Sequence, residues 1–359
     1  MKEFVKKDPV LFVLLVITAL FTLLNPLGVK NYWSYVDWRT IVSLSGLILV
    51  TTGIKESRIL NLISRKVVRR GKTERKLSFL LISLSSTLST ILTNDVTLLV
   101  LVPMTATMSE VTDVCVGKLI VFETLSVNVG SALTPVGNPQ NLFLWHEWGI
   151  SFFQFCLEMF PVVVLCILVL LLFAVFSFKK KELTLKADKK IEVDKNLAFV
   201  STILTLMYIF SLELKLEYLA FPLILAFFAF VNRRVIRNAD WLLIAIFILM
   251  FVDIGCVTKY VKPLILHLKL NSSTVFLMSA LLSQLVSNVP ASILMAKFSS
   301  NWKAICYGVN VGGNGFLIAS LANLISLRYS KNLAEFHKYS LPYFALTLVL
   351  TYLLFFKPA

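Results

Sequence analysis

Residues 128–141 constrain this chain more than any other stretch. They lie in an apolar segment, yet hold Asn128, Gly130, Ser131, Thr134, Pro135, Gly137, Asn138, Pro139, Gln140 and Asn141. Proline lacks a backbone donor and clashes with the preceding helical turn, and glycine loosens the backbone. In lipid, broken backbone is tolerated only where it is buried in protein or lines a cavity. A second copy begins at Asn310-Val311-Gly312-Gly313-Asn314-Gly315 and runs on to Asn323. Asn128, Val129, Gly130 and Asn141 match Asn310, Val311, Gly312 and Asn323 at one constant offset. The fold must hold two broken helices in matching places, the best sequence pointer to a transporter's binding site.

A hydrophobic fraction of 57% excludes an ordinary soluble domain. Apolar runs at 10–24, 152–178 and 241–252 approach or reach bilayer-spanning length. The net charge of +15 would point to nucleic acid in a soluble chain. Here the basic residues gather in short loops between apolar runs, the positive-inside pattern, and no nucleic-acid partner is expected. The partner is the bilayer. Cys115, Cys156, Cys166, Cys256 and Cys306 show no metal-ligand or redox spacing and read as small packing residues. The first apolar run is too long for a cleavable signal peptide, and no small-residue cleavage site follows it.

Lys2, Lys6 and Lys7 precede a span at 10–27, so the N-terminus is expected in the cytoplasm. A second span, 38–54, leads to the basic segment 55–76, whose periodic apolar positions predict an amphipathic helix lying in the membrane interface. Residues 77–108 are interrupted at Thr93-Asn94-Asp95, leaving arms of roughly 16 and 13 residues, short of the ~20 a crossing needs. They read as a re-entrant hairpin; two short tilted spans are the alternative. The first broken span, 116–148, and a return span, 152–178, follow.

The connector 179–196, with seven Lys, divides the chain. Spans at 197–212 and 218–231 end at Arg233, Arg234 and Arg237. Then the plan recurs: Asp240-Trp241 opens a span as Asp37-Trp38 did, and 259–270 reads as a short amphipathic piece. A second hairpin, 272–298, has Ser287-Asn288-Val289-Pro290 at its tip; the second broken span is 303–327 and the last span 341–356. The expected fold is an all-α polytopic membrane protein of nine spans, two re-entrant hairpins and two broken transmembrane helices. Counting crossings makes the halves antiparallel, an inverted-topology repeat. Residues 1–36 form an N-terminal span and outer loop, 37–178 the first repeat, 179–239 the connector and two scaffold spans, and 240–359 the second repeat. The C-terminus is then outside, in a multi-pass protein of the cell membrane.

With these residues in hand, the chain resembles the ion transporter superfamily, with its ArsB/NhaD permeases and INDY-like divalent anion:sodium symporters. The resemblance rests on Thr93-Asn94-Asp95, on 128–141, on Ser287-Asn288-Val289-Pro290 and on 310–315. Glu335-Phe336, Lys338 and Pro342 are similar to the family's closing segment. It covers residues 37 to the C-terminus. It implies two hairpin tips and two unwound helices meeting at the midplane, and Na⁺ or H⁺ as coupling ion with no other cofactor. It also implies a transport domain moving against a scaffold, often in a homodimer. The symporters' Ser-Asn-Thr tip stands here as Thr93-Asn94-Asp95 and Ser287-Asn288-Val289, so the resemblance does not carry di- or tricarboxylate specificity over to this chain.

Half-helix N-termini present unpaired N–H groups and suit an anion; unwound carbonyls and amide oxygens suit Na⁺. The expected substrate and ion site comprises Thr93, Asn94 and Asp95, then Thr134, Gly137, Asn138 and Asn141. The second half contributes Ser287, Asn288, Gly313, Asn314 and Asn323. Asn94, Asn138, Asn288 and Asn314 are the Na⁺ ligand candidates. Acids at membrane depth are functional by default, making Asp95, Glu123 and Asp253 coupling candidates. For Asp95 the plainer reading is a helix N-cap; for the amides it is helix-packing glue. The function expected is a secondary transporter of a small anion, with a Na⁺/H⁺ antiporter or an arsenite-type permease as alternatives and a channel further off. His146, His267 and His337 make no nucleophile–base or metal pattern, so enzyme chemistry is not expected.

Overall fold

The computed structural model describes residues 9–108, 115–183, 192–265, 270–330 and 332–357. Lys2, Lys6, Lys7 and His267 lie outside them. The described regular structure is helical throughout, apart from one isolated bridge between Thr73 and Glu182.

Helix α1 (Pro9–Leu24) leads through a 3-10 turn and the short α2 (Tyr32–Tyr35) to α3 (Trp38–Glu56), which opens on an N-cap bond from Arg39 N to Asp37 Oδ1 (3.2 Å). The basic segment forms α4 (Ile59–Arg69), with Leu60 buried and Lys66 and Arg69 exposed, as an amphipathic helix requires. The first arm pair is α5 (Glu74–Ser89) and α6 (Asn94–Thr107). The first broken helix is α7 (Val116–Ser131) and α8 (Pro139–Trp148). Then come α9 (Phe152–Ser177), α10 (Lys195–Glu213), α11 (Glu217–Val231), the short α12 (Arg233–Asn238) and α13 (Trp241–Ile265). The second arm pair is α14 (Ser272–Val286) and α15 (Asn288–Ala296). The second broken helix is α16 (Trp302–Gly312) and α17 (Leu321–Ser330), and α18 (Leu333–Thr351) closes the chain.

Two expected boundaries move. Lys259 does not open a separate amphipathic piece, because α13 continues through it to Ile265. The last span starts earlier than residue 341, at Leu333, and carries Pro342 in its interior.

Among the described residues, four helices are long and apolar enough to cross a membrane: Phe152–Ser177, Lys195–Glu213, Trp241–Val261 and Leu333–Phe356. Their flanks carry bare hydrophobic side chains: Phe176 is 82% exposed and Phe199 68%. Large apolar groups this open are stable only against lipid or another apolar surface. The chain is an all-helical, multi-pass membrane protein.

Inside, α5 lies along α7 and α14 along α16. Glycine permits both approaches: a Cβ on Gly130 would collide with the Ser86 carbonyl, and one on Gly312 would come within 2.7 Å of the Ala280 carbonyl. The second arms bridge the two broken helices, α6 packing on both α7 and α17 and α15 on both α16 and α8. Helix α3 is buried from Ser43 to Ile54 between this assembly and α10 and α11. Its hydroxyls turn inward on their own helix: Ser45 donates to Ile41 O, Thr51 to Leu47 O and Thr52 to Ile48 O, at 2.6–2.8 Å.

Candidate functional site

Both breaks are held open by asparagine. At the first, residues 132–138 leave the helix, Asn138 caps α8 by accepting from Asn141 N (2.9 Å), and Pro139 fills the first helical position, where a missing N–H costs nothing. The freed carbonyls need donors. Asn141 Nδ2 serves those of Ala132 and Thr134, both at 3.1 Å, and Ser131 at 3.4 Å. At the second break Asn323 Nδ2 serves the carbonyls of Gly313 (2.9 Å) and Phe316 (3.1 Å), the positions that match Ser131 and Thr134.

The two breaks also hold each other. Asn310 Nδ2 donates to Asn141 Oδ1 at 2.7 Å, and Asn128 Nδ2 donates to Asn323 Oδ1 at 2.9 Å. Each Asn of one copy thus closes on the other copy's partner, in the same sense. Asn138 and Gln140 add donors to Asn310 Oδ1 at 3.1 and 3.3 Å. All are buried, and breaking any of these bonds leaves a buried orphan, which stiffens the network.

The tips sit against the breaks. Asn94 N donates to Gly137 O at 2.9 Å, and Thr134 Oγ1 to Thr90 O at 2.5 Å. At the second tip, a Cβ on Gly313 would stand 3.0 Å from Asn288 Nδ2. Asn314 Nδ2 donates to Asn310 O at 3.0 Å. Thr93, Asn94, Asp95, Thr134, Gly137, Asn138, Asn141, Ser287, Asn288, Gly313, Asn314 and Asn323 therefore form one connected cluster. Within it Thr93 Oγ1, Asp95 Oδ1, Gln140 Oε1 and Asn314 Oδ1 are buried without a partner among the described residues.

Asp95 is the second residue of α6, not its N-cap, and its own N–H is taken by Asn94 Oδ1 at 2.9 Å. Capping therefore leaves its carboxylate unexplained. Glu123 and Asp253 stand apart from the cluster. Glu123 accepts from Thr105 Oγ1 (3.0 Å) between α7 and α6, and Asp253 from Thr18 Oγ1 (2.6 Å) between α13 and α1. His146 bonds Thr40 Oγ1 at 3.2 Å. Asn128, Asn310, Gln140 and Gln284 belong to the network but not to the expected ligand set. The first three were legible as motif members; Gln284, which accepts from Phe316 N at 2.7 Å, signals itself only as a polar residue in an apolar arm.

A family model described as Citrate transporter matches residues 4–302. Inner membrane protein YbiR of Escherichia coli is 37% identical over 88% of this chain and 87% of its own. An uncharacterised transporter of Methanocaldococcus jannaschii is 37% identical over 90% of both chains. A putative transporter, arsB, of Dictyostelium discoideum is 28% identical over 35% of this chain and 22% of its own. On that profile match and those near full-length alignments, the chain belongs to the citrate transporter family of membrane transporters.

Proposed function

We propose that the chain is a secondary active transporter that moves a small anion by alternating access, coupled to Na⁺ or H⁺. The observation that carries this reading is the reciprocal asparagine closure of the two breaks, with two helix-pair tips set against it and unpartnered oxygens facing inward. Amide donors and the N-terminal ends of α6, α8, α15 and α17 favour an anion. The oxygens of Thr93, Asp95, Gln140 and Asn314, with amides at Asn94, Asn138 and Asn288, favour a co-bound cation. The repeated contacts support an inverted repeat with re-entrant arms. The proposal places the N-terminus in the cytoplasm, the C-terminus outside, and the protein in the cell membrane, and it includes the homodimer the family resemblance implies.

One observation favours a second reading. Asp95 is buried and no Lys or Arg belongs to the cluster, which suits cation–proton exchange or arsenite-type permeation better than a polyanion.

Purified protein is screened for thermal stabilisation by sulfate, phosphate, dicarboxylates and arsenite, with and without Na⁺, and the stabilising solute is then followed into proteoliposomes. Saturable, concentrative uptake under an imposed Na⁺ or H⁺ gradient is expected. Flux that never saturates and ignores the gradient would identify a channel and end the proposal. Cysteines at Thr93 and Ser287 should label from opposite faces; labelling of both from one face in every condition would remove the inverted repeat.

A further inference from the structure

A cleft of about 290 Å³ opens beside α15, at the end away from Asn288. One wall is α13 with α2 and carries Ser34, Tyr35, Thr258 and Lys259; the facing wall is α15, with Ile293 and the C-cap residue Lys297. Both lysines are exposed. The ion pairs among the described residues are Arg39–Glu217, Lys118–Glu74 and Lys303–Glu158, so neither cleft lysine has a carboxylate. Among the described residues, no Asp or Glu lines the cleft.

Donor supply decides what fits. Ser34 Oγ already donates to Asn31 O (2.8 Å) and Thr258 Oγ1 to Ile254 O (2.6 Å). Lys259 Nζ stands 5.5 Å from the centre of the Tyr35 ring and engages the Tyr35 hydroxyl. The Lys297 ammonium and the remaining Lys259 donors are thus unspent, and two like charges sharing a cleft repel until an anion enters. The volume is at the low end for ligand sites, about 300 Å³ and upward, which suits a small solute.

We propose that this cleft is an anion-admission subsite, where Lys259 and Lys297 hold a small oxyanion of the carboxylate, phosphate or sulfate class. Its admission role rests on the transporter reading; its binding of an oxyanion does not. Lysine is a compact charge on a flexible stem, suited to a hold-and-release contact rather than a fixed bidentate grip. At 1.5 Å per residue, α15 sets Lys297 about 14 Å from Asn288, so one short helix joins the cleft to the second tip. The tip cluster has no basic residue of its own, and the cleft supplies the attraction that it lacks.

The test reads charge in the cleft without needing transport. Thr258→Cys, in full-length protein in phosphatidylcholine vesicles, is labelled with anionic and cationic thiosulfonate reagents of equal size, the unsubstituted protein being the blank. The anionic reagent should react about tenfold faster relative to the cationic one than in the same protein carrying Lys259→Gln and Lys297→Gln, a factor typical of local focusing. Millimolar inorganic phosphate should slow labelling in the lysine protein alone. Equal ratios in both proteins, or no effect of phosphate, would overturn the site. Protection by phosphatidylglycerol vesicles in place of phosphate would hand the cleft to a lipid headgroup and overturn admission. Phosphate protection with no uptake of any solute would sink the transporter reading while leaving the subsite standing.

Discussion

The two tips occupy matching places and are built differently. The first turns through residues 90–93, with Thr93 in ordinary extended backbone (φ −61°, ψ 148°), before Asn94 starts α6. The second has only Ser287 between its helices, at φ 77°, ψ 156°, a region that is otherwise almost glycine-only. Aligned on Asn94 and Asn288, the next residue is Asp95 in one tip and Val289 in the other, both buried. A near-symmetric frame therefore carries its charge on one side and its strain on the other. Symmetry explains how the breaks are held, and the departures from it are where function is expected.

The largest break in that comparison is Asp95→Asn. Asn retains the size and the local hydrogen bonding but not the charge. If the proposed coupling role holds, gradient-driven uptake in proteoliposomes falls to background while folded yield stays near that of the parent. Val289→Ala leaves uptake in place and costs about 1 kcal/mol of stability, in the range for trimming a buried branched side chain. Unchanged uptake and ion dependence in Asp95→Asn would remove coupling from the first tip.

The asparagine closures come next. Asn141→Ala and Asn323→Ala each orphan several buried groups at about 1–3 kcal/mol apiece, so both should lower thermal stability and abolish uptake in the inserted fraction. Double-mutant cycles for Asn128 with Asn323 and for Asn310 with Asn141 should agree within about 0.5 kcal/mol. Unequal coupling would show that the halves are alike in shape but not in energy.

Smaller effects test the close approaches. Gly130→Ala drives a methyl into the Ser86 carbonyl, while Gly312→Ala meets Ala280 O at 2.7 Å with a little more room. Both destabilise, by about 1–3 kcal/mol as overpacking does, and Gly130→Ala the more. Smallest is Ser287→Gly, which removes the positive-φ penalty and should stabilise by about 1 kcal/mol. Thr93→Gly, at an unstrained position, should gain nothing in the same thermal assay.

What could be read from the sequence was whatever disturbs apolar periodicity. Pro135, Pro139, Gly130 and the asparagines announced the first break because a lipid-facing helix has no use for them. Asp37 and Asp240 announced helix starts, and both cap theirs. Spatial partnership was not legible. Nothing local tells Asn128 to meet Asn323 rather than Asn314, or pairs Glu123 with Thr105 and Asp253 with Thr18. All three acids stand in apolar surroundings, and only the fold gives two of them a lone hydroxyl partner. Lys259 misled for a different reason. A charge was taken to end the span, whereas its stem follows α13 and its ammonium reaches the cleft over Tyr35.

The inward-turned hydroxyls of α3 bear on friction. Because Ser45, Thr51 and Thr52 are satisfied by their own helix, parting α3 from its neighbours strands none of these donors. The described cross-links are few, chiefly the Arg39–Glu217 ion pair to α11, Thr40 to His146 on α8 and Tyr208 on α10 to Val42 O. Shear along that surface trades one set of methyl contacts for another, each worth about 0.1–0.2 kcal/mol. The asparagine-locked body is stiff within and smooth on this flank, the properties of a piston in an oiled sleeve.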